Sequence, residues 1–370
     1  MRILIVTMHR GNNFGSALQV YALSETLKNL GHNPVVLDYI PRRINFRLNL
    51  GRMIKNLFLG KSLHGKYEAL RGIMILVSSQ RQYNRFFKEK VNLTRPYYSY
   101  DELVNDCPVA DIYMTGSDQV WNSFHNGGIE YVFFLDFVPE HAKRISYAAS
   151  FGKERLDEWE ISETTRLLKK YQAISVRESS ALTILKNLGI TNGVHVLDPT
   201  LLLSKEEWLK RIPKNKEQDK YLLIYSVEPN KTDLIEYAKL IANRLNLKIY
   251  LVEWGLRKYP GVDKMLSLLP PLELMSYFAN AEFIVASSFH GTAFSINMNK
   301  QFMSVAPKKF STRAKSLLDL VSLSDRYVEE GNFKIEQALS PIDYENVNDI
   351  LSRQREISKS FLVNAIGKEI

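Results

Sequence analysis

Residues 1–39 read MRILIVTMHRGNNFGSALQVYALSETLKNLGHNPVVLDY, and this stretch decides the fold class. The apolar run from Ile3 to Met8 has the length of a buried strand, and a polar loop with two glycines follows it. Apolar residues then recur at helical spacing from Leu18 to Leu27, and Gly31 ends that pattern. A second strand is predicted over residues 34–39. This order of strand, loop, helix and strand favours a parallel α/β sheet.

The same alternation continues to the C-terminal part of the chain. Further strands are predicted at residues 110–115, 144–149, 173–176, 194–197, 221–226, 248–253, 283–286 and 302–305. Further helices are predicted at residues 181–188, 232–245 and 271–280. The stretch 204–220 is rich in Lys and Glu and interrupts the pattern. We therefore predict two successive α/β domains.

The composition is typical of a soluble globular protein. The chain has 370 residues, of which 45% are apolar and 24% are charged. These proportions exclude a disordered chain, a collagen-like repeat and a small disulfide scaffold. No stretch approaches the roughly 18 apolar residues of a membrane span, and the N-terminal apolar run is too short for a signal peptide. The single cysteine, Cys107, cannot form an internal disulfide, so we expect a cytoplasmic protein.

Positive charge is concentrated in residues 42–95, here called the basic segment. The whole chain has 49 Lys and Arg against 40 Asp and Glu, a net charge of +9. The basic segment has thirteen Lys and Arg against two acids, or +11, so the remainder sums to −2. Its apolar residues, such as Met53, Ile54, Leu57 and Phe58, recur at helical spacing. A basic amphipathic insertion predicts peripheral contact with an anionic membrane, the inner face of the cytoplasmic membrane. The alternative is a pair of helices packed on the N-terminal domain with a solvated basic face.

A search for short motifs excludes several function classes. The chain contains no P-loop, no dinucleotide-binding Gly-x-Gly-x-x-Gly, no His-Glu-x-x-His and no Gly-x-Ser-x-Gly. An Asp-x-Asp pair is absent as well, so we predict no metal site. No helix-turn-helix or zinc-finger spacing accompanies the positive charge, and we expect no nucleic-acid partner.

The clearest candidate site is the stretch SSFHGTAF at residues 287–294, which follows a predicted strand and begins a helix. Ligands of open α/β sheets bind at the C-terminal ends of the strands. His290 is suited to proton transfer because its ordinary pKa is near neutrality. The N–H groups at the helix start are suited to a phosphate or a carboxylate. The alternative is a histidine that only caps its own loop.

Five motifs resemble the polysaccharide pyruvyl transferase family. They are NFGSALQ at 13–19, GSDQVWN at 116–122, SVRES at 175–179, DPT at 198–200 and SFHGT at 288–292. They occur in the family's order, and the second and the fifth are specific when they occur together. The resemblance does not extend to the basic segment or to the C-terminal tail.

The resemblance implies two Rossmann-like domains that face a cleft, as in GT-B glycosyltransferases. The N-terminal domain, 1–203, carries the basic segment as an insertion and would bind the acceptor. The C-terminal domain, 204–370, would bind phosphoenolpyruvate, and its last helix would pack back on the N-terminal domain. The implied reaction moves pyruvate onto two hydroxyls of a sugar as a cyclic ketal and releases phosphate, with no other cofactor. The acceptor would be a hexose of a surface polysaccharide or its precursor linked to a lipid diphosphate, which the basic segment would help to bind.

The resemblance also implies roles for residues of the donor site. His290 would be the general acid and base, and Arg177 would bind the phosphate or carboxylate of the donor. Some relatives have an arginine where this chain has Ser288, which removes a cation. The residues that would complete the donor site are Ser288, Gly291, Thr292, Lys308 and Arg313. The alternative for Arg177 is an ion pair with an acid such as Glu178.

Polar residues at strand ends are the candidates for the acceptor. Sugar-binding candidates are Asn13, Ser16, Gln119, Trp121 and Asn122, and Asp118 would serve as a base for the attacking hydroxyl. Each has a structural alternative: turn or helix-cap residues for the polar side chains and a core position for the tryptophan. Asp198 precedes a proline and is interpreted as a structural turn.

Two other functions remain open at this point. A GT-B glycosyltransferase would bind a nucleotide sugar in the C-terminal domain, and that fold needs no metal. A non-catalytic carbohydrate- or lipid-binding protein would release no phosphate from any donor.

Overall fold

Two parallel sheets, one in each half of the chain, organise the structure. We describe it from a computed structural model, which defines residues 1–59, 62–253, 255, 257–307, 312–329 and 331–367.

The N-terminal half contains seven strands, eight helices and two short 3-10 helices among its described residues. The strands are β1 (Arg2–Val6), β2 (Asn33–Tyr39), β3 (Leu93–Tyr97), β4 (Ile112–Thr115), β5 (Lys143–Ser146), β6 (Ser175–Val176) and β7 (Val194–His195). The helices are α1 (Phe14–Asn29), α2 (Phe46–Leu59), α3 (Leu63–Lys90), α4 (Tyr100–Asn105), α5 (Ser123–Asn126), α6 (Glu158–Leu168), α7 (Ser179–Asn187) and α8 (Pro199–Leu202). The 3-10 helices are Arg42–Ile44 and Tyr131–Phe134.

The first sheet has the strand order β3-β2-β1-β4-β5, and every pairing in it is parallel. Its edge continues into the pair β6-β7, because Ser146 N donates to Ala173 O (3.0 Å) and Arg177 N donates to Ala149 O (3.1 Å). The direction of strand succession reverses between β1 and β4. At such a switch point the loops diverge and leave a crevice, which is where ligands bind in this class of fold.

The C-terminal half repeats this arrangement. Its strands are β8 (Tyr221–Tyr225), β9 (Lys248–Glu253), β10 (Lys264–Ser267), β11 (Phe283–Ala286), β12 (Gln301–Val305) and β13 (Tyr327–Val328). Its helices are α9 (Lys205–Leu209), α10 (Thr232–Leu245), α11 (Pro271–Asn280), α12 (Phe289–Asn297), α13 (Thr312–Leu320), α14 (Ile335–Leu339) and α15 (Tyr344–Ile366), with a 3-10 helix at Ser324–Arg326.

The second sheet has the order β10-β9-β8-β11-β12-β13, and all of its pairings are parallel. This is the doubly wound order of a dinucleotide-binding sheet. Its switch point lies between β8 and β11, where the Ser287 hydroxyl donates to Ser226 Oγ at 2.7 Å. The predicted fold class, two Rossmann-like domains, is confirmed.

The last helix, α15, contacts residues of the N-terminal half. Its buried Ser358 accepts a hydrogen bond from Leu197 N (3.0 Å), and Arg355 Nε donates to Leu201 O (2.7 Å). Lys143 Nζ also donates to the Ile366 carbonyl at 3.0 Å. One apolar cluster runs continuously from β1 and α1 through α8, α11 and α12 to α15. None of the described helices has the length and hydropathy needed to cross a bilayer.

Candidate active site

Charged side chains from both sheets meet at the C-terminal ends of their strands. Asp118 follows β4, Arg177 follows β6 and Asp198 follows β7 in the first sheet, and His290 follows β11 in the second. All four are buried. The two switch points therefore contribute to a single site.

Arg177 lies at the centre of this site. Its Nη1 donates to Asp198 Oδ2 at 3.0 Å, and its Nη2 lies 3.7 Å from Asp118 Oδ1. The guanidinium also lies over the Phe289 ring, 4.4 Å from the centroid. Burial alone would lower the pKa of Arg177, but the surrounding carboxylates outweigh it and raise that pKa. The ion pair with Glu178 that the sequence suggested is long, at 3.9 Å from Nε, and Asp198 is the closer partner.

Asp198 links the arginine to the histidine, which corrects its interpretation as a turn alone. Its Oδ1 accepts from the backbone N–H of Thr200 (2.9 Å), which begins α8. Its Oδ2 accepts from Ser117 Oγ (2.8 Å) and from Arg177, and lies 3.9 Å from His290 Nε2. The carboxylate is therefore held on both sides, and its neighbouring cations hold its pKa below the usual range against the effect of burial.

His290 is 7% exposed and lies in the first turn of α12. Its Nε2 is buried and has no hydrogen-bond partner among the described residues. Burial lowers the pKa of His290, and Asp198 and Asp118 oppose this effect only in part. The imidazole is therefore neutral at neutral pH and can accept a proton.

Gly15, in the first turn of α1, lies directly against the His290 ring. A Cβ atom at Gly15 would be 2.1 Å from Nδ1 of that histidine, a distance that no side chain can occupy. Glycine at this position lets the N-terminal domain approach the histidine of the C-terminal domain.

Asp118 has a left-handed backbone with φ of +80°. Its Oδ2 accepts from the Ser16 hydroxyl (2.5 Å) and its Oδ1 accepts from Gln119 N (2.9 Å). Burial would raise the pKa of Asp118, but the Arg177 guanidinium outweighs it and holds that pKa far below the usual range. A carboxylate this acidic does not accept a proton readily, so the arrangement does not favour the predicted role as a base.

Arg313, in the first turn of α13, is the second arginine of the site. Burial and the nearby Arg177 lower the pKa of Arg313 to about 10. Its Nε is buried and has no hydrogen-bond partner in the described part of the chain. Lys308, the other predicted cation, lies outside the described residues.

Three residues at the start of α12 that were predicted to contact the donor have structural partners instead. Ser288 is the helix cap, and its Oγ accepts from Gly291 N at 3.1 Å. A Cβ at Gly291 would meet the Tyr225 ring at 2.7 Å, so this glycine packs against β8 and not against a ligand. The Thr292 hydroxyl is fully buried and hydrogen-bonded to Ser304 Oγ (2.8 Å).

Two of the predicted acceptor residues are also structural. Trp121 is 2% exposed, stacks on Phe134 and donates its indole N–H to the Phe133 carbonyl. It cannot stack on a sugar, because both faces of its ring are covered. Asn122 is fully buried, and its side chain accepts from His125 N and donates to Gln119 Oε1.

The remaining acceptor candidates lie at the edge of the site. Asn13 caps α1 by accepting from Ser16 N at 3.2 Å, and Ser16 donates to Asp118. Gln119 is partly exposed and accepts from the Asn122 amide. These three bonds order the rim, while Asn13, Ser16 and Gln119 keep some exposed surface.

A separate cavity opens at the C-terminal ends of β1, β2 and β3. Its volume is about 370 Å³, and residues 10–12 of the loop before α1 form one wall. Arg10 is fixed there by two bonds to Asp38 (2.7 and 2.6 Å) and one to Asn84 (2.8 Å). Asn49, Gln80 and Tyr98 also line it, together with apolar residues such as Ile44 and Leu76. The same loop thus joins this cavity to the residues around His290.

Gly15 and Asp198 belong to the site, but they were not predicted from the sequence as site residues. Both lie within motifs that carry the family resemblance, so the signal was present. The distances that give them roles connect residues far apart in the chain, and local patterns do not contain that information.

Comparison with known proteins gives one family and one fold. A family model described as polysaccharide pyruvyl transferase matches residues 13–309. A UDP complex of MnaA from S. aureus is 9% identical with a TM-score of 0.52, over 100% of this chain and 93% of that one. A UDP-GlcNAc 2-epimerase from Methanocaldococcus jannaschii is 11% identical with a TM-score of 0.50, over 95% of this chain and 92% of that one. At these identities the two structures establish the fold alone. No curated protein sequence matches the chain.

Proposed function

This chain belongs to the polysaccharide pyruvyl transferase family, and we propose that it moves pyruvate from phosphoenolpyruvate onto two hydroxyls of a sugar, forming a cyclic ketal. The donor site consists of Arg177, Arg313 and His290. The sugar lies in the N-terminal domain, in the adjacent cavity beside the loop before α1.

The observation that carries the proposal is a group of buried side-chain nitrogens that have no hydrogen-bond partner. Arg177 Nε and Nη2, Arg313 Nε and His290 Nε2 all lack hydrogen-bond partners among the described residues. Buried polar groups without partners are rare in folded proteins and call for an explanation. Two neighbouring guanidiniums also repel each other. A small ligand with a phosphate and a carboxylate relieves both costs at once.

The position of Arg313 explains how the site can work with Ser288. Relatives with an arginine in place of Ser288 have a cation at the start of the helix that corresponds to α12. Here Arg313 on α13 supplies a positive charge that is felt by both Arg177 and His290. We therefore assign Arg313 to the phosphate and Arg177 to the carboxylate of the donor.

The neutral His290 is suited to move a proton from the acceptor to the donor. It accepts the proton of the first sugar hydroxyl as that oxygen bonds to C2 and passes this proton to C3, which becomes a methyl group. The bond from C2 to the phosphate oxygen then breaks as the second hydroxyl closes the ring. The proton of the second hydroxyl leaves with the phosphate. Asp118 and Asp198 are positioning residues in this scheme, because they hold the arginine and the histidine in place.

The cavity beside the loop before α1 is our candidate for the acceptor sugar. Side-chain amides, a fixed arginine and an aromatic ring are the groups that bind sugar hydroxyls and sugar faces. The loop that forms its wall continues into Gly15 and Ser16, which contact His290 and Asp118. A sugar bound there would present its hydroxyls along that loop toward His290.

The test is phosphate release from phosphoenolpyruvate in the presence of lipid-linked and synthetic hexosides. We expect acceptor-dependent release by the wild-type chain and none by His290→Asn. Release of a nucleoside diphosphate from a nucleotide sugar, with no phosphate from phosphoenolpyruvate, would make the chain a glycosyltransferase. Saturable sugar binding with no turnover of any donor would make it a binding protein.

A further inference from the structure

The helices α2 and α3 form an antiparallel hairpin, residues 46–90, whose base is anchored on the N-terminal domain. Tyr83, Phe86 and Phe87 of α3 are buried. The Phe86 and Tyr21 rings lie 5.8 Å apart, as do the Tyr83 and Phe14 rings, so α3 packs on α1. The base of the hairpin therefore agrees with the alternative given in the sequence analysis, in which the basic segment packs on the N-terminal domain.

The distal half of the hairpin, defined as residues 52–74, is packed differently. No described side chain of α2, and none of α3 before Tyr83, is buried. The two helices contact each other closely, since a Cβ at Gly72 would lie 2.4 Å from Met53 Cε. At 1.5 Å per residue, α3 extends about 30 Å from Tyr83 to its first turn. Among its described residues, the distal half is therefore packed against its partner helix and contributes no buried side chain to the core of the domain.

Large apolar side chains are exposed on this distal half. Phe58 is 78% exposed and Tyr67 is 62% exposed. Tyr67, Leu70 and Met74 are spaced i, i+3 and i+7, so they share one face of α3. Phe58 and Ile54, at i and i+4, share one face of α2. Apolar side chains of this size that are exposed together on one element often mark an interaction surface.

Positive charge surrounds these side chains. Residues 46–82 contain seven Lys and Arg and a single acid, Glu68. Arg52 and Lys55 are exposed on α2 between the apolar residues, and Lys66 is exposed at the start of α3. Two copies of this hairpin would repel each other. The occupant that matches both the apolar side chains and the charge is an anionic surface with an apolar interior.

We propose that the distal half of the hairpin docks on the surface of an anionic lipid bilayer. Its apolar side chains enter the boundary between head groups and acyl chains, and its basic side chains contact the anionic head groups. The inference rests on the hairpin alone and does not depend on which donor the active site uses. The two ends of the hairpin then have different roles. The distal half contacts the bilayer, and Asn49 of α2 and Gln80 of α3, nearer the base, line the candidate acceptor cavity.

The experiment is flotation of the full chain with phosphatidylcholine vesicles that contain or lack phosphatidylglycerol. We expect the chain to float only with the anionic vesicles. Arg52→Gln combined with Lys55→Gln should lower the partition coefficient about 30-fold, because each basic residue near the surface contributes a factor of about 5 and the two factors multiply. Phe58→Ser combined with Tyr67→Ser should lower it about tenfold or more.

Matched control variants remove charged and aromatic side chains at other places on the surface. Lys214→Gln combined with Lys216→Gln removes two exposed charges between the domains, and Trp159→Ser removes an aromatic ring that is 61% exposed. Both should float like the wild type, and circular dichroism should show that every variant keeps its fold. Equal flotation with neutral vesicles would overturn the proposal, as would hairpin variants that float normally. A dimer in light scattering that Phe58→Ser dissociates, with no flotation, would show that a second copy covers this face.

Discussion

At the scale of single residues, the site is defined by which polar atoms are satisfied and which are not. Asp118 and Asp198 accept hydrogen bonds on both of their oxygens. The arginines and His290 keep buried donors or acceptors without partners in the described part of the chain. The carboxylates are therefore committed to the protein, and the cations and the imidazole are the groups left for a substrate.

We predict that activity depends on His290 in its neutral form. Burial holds the pKa of His290 below its ordinary value of about 6.5, so kcat/KM should be constant above that value and fall as the pH drops through the lowered pKa. His290→Asn should lower kcat by about 10²–10⁴-fold and remove this acid limb. Calorimetry should show that the variant still binds phosphoenolpyruvate. A variant with the same acid limb as the wild type would place the proton transfer on another group.

We predict that Arg313→Gln weakens the binding of phosphoenolpyruvate without lowering the free energy of unfolding. The arginine is held beside Arg177, so its loss removes a repulsion, and the free energy of unfolding should stay equal or rise. The KM for phosphoenolpyruvate should rise about 10–100-fold, as expected for the loss of a charge-assisted hydrogen bond.

Arg244→Gln on the exposed surface of α10 is the control for Arg313→Gln and should change neither quantity. Urea unfolding and steady-state kinetics measure both. A loss of stability with an unchanged KM would show that Arg313 is a structural residue.

At the scale of helices and strands, the sequence predicted the elements that carry periodic apolar patterns. Helix α10 at Thr232–Leu245 and strand β9 at Lys248–Glu253 have the predicted bounds. The edge strands β3, β10 and β13 were not predicted, because edge strands are short and only partly buried, so their apolar pattern is weak. Trp121 has the core position that the sequence analysis gave as its alternative, while Asn122 was misassigned. The sequence shows that a residue follows a strand, but its burial depends on the helices and loops that pack against it.

The start of α1 offers a prediction at this scale. Gly15→Ala should lower kcat by about 100-fold or more, because the new methyl group would occupy the space of the His290 ring and displace it. Gly51→Ala in α2 is the control, since a Cβ there meets no atom within 4 Å. It should leave activity unchanged. Equal activity of the two variants would show that the contact between α1 and His290 has no part in catalysis.

At the scale of the whole molecule, the site depends on contacts between the two halves of the chain. The loop before α1 and the carboxylates come from the first sheet, and His290 and Arg313 come from the C-terminal half. Helix α15 returns to the N-terminal half and pairs with Leu197, the residue before Asp198. The family resemblance implied that the last helix packs back on the N-terminal domain, but the sequence could not indicate this hydrogen bond, which connects residues 161 positions apart.

We predict that Ser358→Ala destabilises the molecule by about 1–3 kcal/mol, because it leaves the buried Leu197 N–H without an acceptor. Ser360→Ala, at an exposed position of the same helix, should change the free energy of unfolding by no more than about 0.5 kcal/mol. Urea unfolding measures both. Equal stability of the two variants would mean that α15 does not secure the loop that carries Asp198.

The most direct test of the proposed pyruvyl transfer is NMR of the reaction with phosphoenolpyruvate labelled with ¹³C at C2. With a hexose acceptor, we expect the enol carbon signal to be replaced by a ketal carbon signal on the sugar, with one phosphate released for each ketal formed. His290→Asn should leave the enol signal unchanged. Phosphate release that yields free pyruvate with every acceptor, or a glycosidic product from a nucleotide sugar in place of the ketal, would contradict ketal formation by this chain.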